Sequence, residues 1–239
     1  MKLVTLVTTL LLLLPTISAA EPLPYSVSRK LMYSEVFYDH RETLYCGASY
    51  DDHREVTLPD GFIIHSHAKR ANRAETEHIV PAENFGRTFR EWREGHPLCV
   101  HSDGQPFKGR HCAQLVNEEY RLMEADLHNL YPAIGCVNAA RGNRNFALLE
   151  KGTPSSFGSC QMKIEGKRVE PPARARGIIA RAYLYFEQRY ARYNMSRQQR
   201  RLMETWDAQY PVSDWECLRN RRIKAIQGNG NPFVERVCR

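Results

Sequence analysis

Apolar residues recur every three to four positions over most of this chain and alternate only over short stretches. Leu31, Met32, Val36 and Phe37 give residues 25–38 a helical rhythm. Val116, Tyr120, Met123 and Leu127 put one apolar face on a helix over 116–128. A helix over 172–191 turns Ala175, Ile179, Ala182, Tyr183, Phe186 and Tyr190 to the core. Ser196 is a good N-cap for a helix over 197–209, which ends near Tyr210-Pro211. Another helix over 214–227 stops at Gly228-Asn-Gly-Asn-Pro232, and Trp206 and Trp215 read as core aromatics. Residues 43–48 and 55–65 look like strands, with Pro59-Asp-Gly61 as a hairpin turn. Residues 87–112 form a polar loop rich in Arg, Gly and Pro. The expected fold class is α+β, mostly helical, in one domain over 21–239.

The first 20 residues have a different character. Met1-Lys2 is a short basic start, 3–14 is an apolar run, and Ser18-Ala-Ala20 suits signal peptidase. The run is too short to stay as a membrane span. Cleavage after Ala20 leaves 219 of the 239 residues and lowers the formal charge from +7 to +6 through loss of Lys2. Export to the periplasm or medium is the expectation. The seven cysteines agree with it, because an oxidising compartment lets them pair. No Cys-x-x-Cys spacing occurs, so a zinc ribbon is not supported. Composition leaves the pairing open, with one cysteine over.

Positive charge is concentrated late in the chain. Between 168 and 201 stand nine arginines against Glu170 and Glu187, a local balance of +7. Arg174, Arg181 and Arg192 line up on an ideal helix, and Arg176 of the same stretch joins them as a candidate nucleic-acid contact. Such a stripe is often only a solvated face, but it can also track phosphates. Nothing resembles a sequence-reading module, so any nucleic-acid contact should be to the backbone and weaken with salt.

The chemistry lies in two stretches. Arg73-Ala-Glu-Thr-Glu77-His78-Ile-Val-Pro81 sets a carboxylate beside an imidazole, and Asn129 and Asn138 follow nine residues apart. Phosphodiester hydrolysis needs a water deprotonated and the phosphate charge neutralised. A neutral histidine can take the proton near pH 7. Mg²⁺ prefers oxygen ligands and is often held by one or two protein groups plus substrate phosphate. Neighbours on a strand face opposite ways, so Glu77 and His78 could share a site only at a strand end or bend. Glu75 falls on the Glu77 side, either in support of the site or as a solvated charge. His65 and His67 read as solvated, and His128 as a core or supporting residue.

Glu77-His-Ile-Val-Pro81, Met123-Glu-Ala-Asp-Leu-His-Asn-Leu130, Pro171-Pro-Ala-Arg-Ala-Arg-Gly177, Tyr210-Pro-Val-Ser-Asp-Trp-Glu-Cys217 and Gln227-Gly-Asn-Gly-Asn-Pro232 together resemble the endonuclease I family of the ββα-metal (His-Me finger) superfamily. The likeness runs over nearly all of the expected mature chain. It implies a ββα-metal motif embedded among helices and a DNA cleft between that motif and the arginine helix. It implies a secreted or periplasmic, largely monomeric nuclease that cuts DNA, and RNA as an alternative, with little sequence preference and 5′-phosphate products. His78 would be the general base, Glu77 and Asn138 the Mg²⁺ ligands, Asn129 the orienting asparagine, and Arg110 the phosphate contact. Ca²⁺ or Mn²⁺ could replace Mg²⁺ in binding. The resemblance also implies disulfides Cys99–Cys112, Cys46–Cys160 and Cys217–Cys238, with Cys136 unpaired. Relatives often have a second early cysteine at Ala48, an acid at Cys136 and Gly-Asp at Ala139-Ala140, so the surroundings of the metal asparagine differ here. A non-catalytic nucleic-acid-binding envelope protein is the alternative from another class.

Overall fold

A computed structural model describes residues 23–238, so the leader expected at 1–20 lies outside the described residues. In chain order the elements are α1 (Tyr25–Leu31), β1 (Ala74–His78), α2 (Ala82–Gly86), α3 (Arg90–Arg93), α4 (Arg110–Val116), α5 (Glu118–Ala125), β2 (Leu130–Ile134), α6 (Gly135–Arg141), β3 (Asn145–Phe146), β4 (Lys163–Glu165), β5 (Arg168–Glu170), α7 (Ala173–Arg189), α8 (Arg197–Gln209), α9 (Asp214–Gln227) and α10 (Pro232–Glu235). The fold is α+β. β1 and β2 make a two-stranded antiparallel sheet, and the other three strands form a second sheet in the order β3-β5-β4. No helix among the described residues is long and apolar enough to cross a membrane.

The core lies around α7, whose middle is buried on every side from Ile179 to Phe186. α8 packs along it, with Met203 and Trp206 buried. Local chemistry sets the late helices. The Ser196 side chain accepts from Gln199 N at the start of α8. Ser213 and Glu216 form a capping box on α9, and Gly228 closes it in the left-handed region at φ 84°. Cys46–Cys160, Cys99–Cys112 and Cys217–Cys238 are bridged, the pairs the resemblance implied, and Cys136 is a buried free thiol.

Several expectations are corrected. Residues 43–48 and 55–65 form no hairpin; their main chain is held by single bridges, Glu42 to Ser49, Tyr50 to Val56, Glu55 to Arg73 and Phe62 to Gly158. The helix expected from 116 breaks at Asn117, whose backbone is extended and whose side chain caps α5 by accepting from Tyr120 N. The 87–112 loop contains α3, and Arg110 begins α4. The first helix widens into a π-helical turn over Met32–Val36. α7 ends at Arg189, so Arg192 is not on it.

Candidate functional site

β1 pairs with β2 in the register Glu77 to Tyr131 and His78 to Leu130, and α6 begins at once where β2 ends. Alternation puts Glu75 and Glu77 on one side of β1 and Thr76 and His78 on the other. α6 covers the Glu75 and Glu77 side. Its start comes so close that a Cβ on Gly135 would sit 2.4 Å from Arg70 O and 2.8 Å from the Glu75 carboxyl. Only glycine fits there.

On the covered side, Asn138 Nδ2 donates to Glu75 Oε2 at 3.1 Å. Arg70 grips the same carboxylate, with Nε to Oε1 at 2.8 Å. One turn after Asn138, the fully buried Arg141 donates from Nη1 to Glu77 Oε1 (2.7 Å) and His78 O (2.8 Å), and from Nη2 to Ile79 O (2.6 Å). Tyr45 OH donates to the same Glu77 Oε1 at 2.6 Å. Both hydrogen bonds of Glu77 among the described residues therefore end on Oε1. Burial pushes the Glu77 carboxyl up, while Arg141 and Tyr45 pull it back.

His78 closes β1 and keeps 8% of its surface exposed. Its Nε2 lies 2.9 Å from Glu124 O. A carbonyl can only accept, so Nε2 carries the hydrogen and Nδ1 the lone pair. Burial first, and the Arg110 cation second, push its pKa down to about 3, so the ring is neutral at ordinary pH. Arg110 Nε donates to the Glu124 carboxylate, which also takes two hydrogen bonds from Gln114, at 2.9 and 2.7 Å. The Tyr25 ring joins the two groups, 5.2 Å from the His78 ring and 5.3 Å from the Arg110 guanidinium carbon. Asn129 is buried and holds the turn after His78, accepting from Val80 N at 2.7 Å and donating to Val80 O at 3.0 Å. Both ends of its amide are thus engaged by the Val80 main chain.

The structure thus sets His78 with Arg110 on one side of β1, and Glu77 with Asn138 on the other. Glu124, Arg141 and Tyr45 were missed as site residues. Their contacts are hydrogen bonds spanning 46, 64 and 32 residues, and Glu124 appeared in the sequence only as part of the quoted Met123–Leu130 stretch. His65 and His67 are exposed and edge a cleft of about 640 Å³ beside Ala139 and Ala140. His128 is a core residue, with Nε2 3.0 Å from Asn229 O. Burial raises the Cys136 thiol pKa.

The arginine stripe is corrected. Arg181 is 2% exposed, donating to both oxygens of Glu216 (2.7 and 2.8 Å), to Asp207 (3.2 Å) and to Tyr210 O (2.8 Å). It is a core cation that cannot reach phosphate. Arg176 is bound to Glu170 and Pro171 O, Arg174 to Glu42, and Arg192 to Glu119. Of the four arginines, Arg181 is lost to the core and Arg176 is largely buried, while Arg174 and Arg192 stand at the surface in pairs with carboxylates.

Comparison with known proteins agrees with this framework. The family model described as Endonuclease I matches residues 25–238. An extracellular deoxyribonuclease of Aeromonas hydrophila is 43% identical over 213 residues, covering 86% of this chain and 86% of the relative. A periplasmic deoxyribonuclease of the same organism is 42% identical over 212 residues, covering 85% and 82%. An Endonuclease-1 of Buchnera aphidicola subsp. Baizongia pistaciae is 35% identical over 217 residues, covering 87% and 82%. The strand pair and helix that gather Glu77, His78 and Asn138 thus lie within a match spanning nearly all described residues, and the chain belongs to the endonuclease I family.

Proposed function

We propose that this protein is an exported, metal-dependent endonuclease that hydrolyses DNA with little sequence preference, through one catalytic domain over 21–239 acting as a monomer. The observation that carries the reading is His78: a neutral imidazole with its tautomer set by Glu124 O, beside a cation, at the end of a strand whose opposite side bears a carboxylate and an amide. β1, β2 and α6 then constitute the ββα-metal motif. Relatives named extracellular and periplasmic deoxyribonucleases support both the substrate and the export.

The donors fit a small, hard cation. Glu77 Oε2 and Asn138 Oδ1 are oxygens outside the hydrogen bonds described above, and no cluster of three or more His, Cys, Asp or Glu among the described residues could hold an ion unaided. That sparse set suits Mg²⁺, with Mn²⁺ or Ca²⁺ as substitutes in binding, because Mg²⁺ keeps several waters and takes further oxygens from phosphate. When bound, the cation supplies charge neutralisation at the phosphate and at the departing oxygen.

His78 Nδ1 takes a proton from water as its oxygen bonds to phosphorus. The P–O3′ bond breaks, leaving a 5′-phosphate and a 3′-oxyanion that takes a proton from solvent water to become the 3′-hydroxyl. Displacement is in line, so nucleophile and leaving group lie on opposite sides of phosphorus. Neighbouring residues facing opposite ways at the end of β1 suit that demand. Arg110, held through Nε by Glu124, contacts the phosphate from the His78 side with its terminal N–H groups. Arg141 and Tyr45 fix Glu77, and Glu75 holds the Asn138 amide so that its oxygen faces the metal.

The test uses oxidised protein lacking residues 1–20, with supercoiled plasmid and separately structured RNA, in Mg²⁺ or EDTA, beside His78→Ala. Plasmid should be nicked and linearised only with Mg²⁺, and the variant should lose roughly 10²- to 10⁴-fold in rate while still binding. Equal cutting by both proteins would remove His78 from the chemistry. Binding without cutting by either would leave only a nucleic-acid-binding protein, and faster cutting of RNA would make it a ribonuclease.

A further inference from the structure

Arg174, Arg176, Arg181 and Arg192 are each already paired with carboxylates, yet a nuclease of this kind must hold a polyanion. A second cleft, of about 580 Å³, opens between α1 with its π-helical turn and the 41–54 segment. Arg29, Lys30, Arg41 and Arg54 line it, and none makes an ion pair with an acidic side chain among the described residues. Tyr33 and Tyr50 meet edge to face within it, ring centroids 5.9 Å apart, and the Arg54 guanidinium carbon lies 5.3 Å from the Tyr33 centroid. Two acids also line it. Asp51 is engaged in its own turn, accepting from Glu55 N at 2.7 Å, and Asp52 lies 3.8 Å from the exposed His53. Four cations against two carboxylates leave the lining at +2.

The helix that walls the cleft also carries the residue that packs on His78. Tyr25, against the His78 ring, is followed at intervals of four by Arg29 and Tyr33, which share its face of the helix. Arg29 acts electrostatically on Tyr25, and Tyr33 lies beside Thr76, on the same side of β1 as His78. From Tyr25 to Tyr33 the helix rises about 12 Å, roughly the span of three to four nucleotides of one DNA strand.

We infer that this cleft, and not α7, holds the DNA strand that leads away from the scissile phosphate on the His78 side, with Arg29, Lys30 and Arg41 contacting successive backbone phosphates. The inference rests on the nuclease reading above. An ammonium or guanidinium without a protein partner binds phosphate and releases a condensed counterion, whereas one already paired must first give up its carboxylate. The tyrosines give the cleft an aromatic wall that tolerates any base.

Fluorescence anisotropy of a labelled duplex DNA of mixed sequence, titrated over a range of NaCl, tests this in the His78→Ala background. The substitutions Arg29→Gln, Lys30→Gln and Arg41→Gln together should lower the slope of log K against log salt by about 2 to 3 and weaken low-salt binding at least about 10-fold. Lys167→Gln, Arg197→Gln and Arg201→Gln remove the same charge from other exposed positions and should leave the slope nearly unchanged. If the parent binds with a steep slope and the cleft variant matches it, or if both triple variants lose equally, the cleft is overturned and the nuclease reading stands. If the parent does not bind and the protein with His78 intact does not cut, both fall together.

Discussion

Two arginines, Arg141 and Arg181, lie equally deep, at 0% and 2% exposure, and do different work. Arg181 is saturated by Glu216, Asp207 and a main-chain carbonyl, all from the α8–α9 region, so its charge is more than balanced and its geometry locks three late helices together. Arg141 has one carboxylate, Glu77, and otherwise grips the carbonyls of His78 and Ile79, so it fixes the end of β1. Desolvating a guanidinium is costly in both places. The partners decide whether that cost stabilises the fold or shapes a site.

Replacing each by methionine is the hardest test of that division. Either change strands a buried carboxylate and should cost about 3 to 5 kcal/mol in denaturant unfolding. With Arg141→Lys and Arg181→Lys, measured where both remain folded, cleavage per folded molecule should drop at least about 10-fold for the first and stay near the parent for the second. Equal losses would mean that Arg141 does no more for the site than Arg181.

The disulfides sharpen the comparison, because Cys46 adjoins Tyr45 and Cys217 adjoins Glu216. Cys217→Ser with Cys238→Ser opens a loop with a separation of 21 residues and should cost about 3 kcal/mol. Cys46→Ser with Cys160→Ser opens one of 114 and should cost nearer 5 kcal/mol. Only the second should also slow cleavage per folded molecule, since it frees Tyr45 from Glu77. Chemical denaturation with plasmid nicking measures both.

Two buried histidines extend the contrast to protons. Burial pushes His128 down to about 4 from 6.5 and His78 to about 3. A depressed histidine pKa means that the unfolded chain takes up a proton the folded one refuses. Stability is therefore full above about pH 6.5 and falls as the pH drops toward the folded values. His128 alone should account for about 2 kcal/mol of loss by pH 5, and His128→Asn should flatten the acid side of the unfolding profile without shifting the pH dependence of cleavage. A shift in the cleavage profile would draw His128 into the site.

What was legible in the sequence follows from the range of the interactions. α8 and α9 have the expected bounds because Ser196, Ser213 and Gly228 set their ends within a few residues. The strands expected over 43–48 and 55–65 fail because that main chain is held by single bridges, some to distant segments. The arginine stripe misleads because its partners Glu42, Glu119, Asp207 and Glu216 are invisible to a helical wheel. Glu77, His78 and Asn138 were legible from residue chemistry, and family likeness gave each its expected role. Arg141, Tyr45 and Glu124 needed the fold.

Glu124 carries one more consequence. Its carbonyl bonds the His78 ring and its carboxylate holds Arg110, so the buried imidazole and the neighbouring cation share one residue of α5. His78 belongs to β1 and Arg110 to α4, so a change at this one position of α5 would reach two elements at once. Three segments far apart in sequence thus meet at a single residue, which makes that residue the hinge pin of the arrangement.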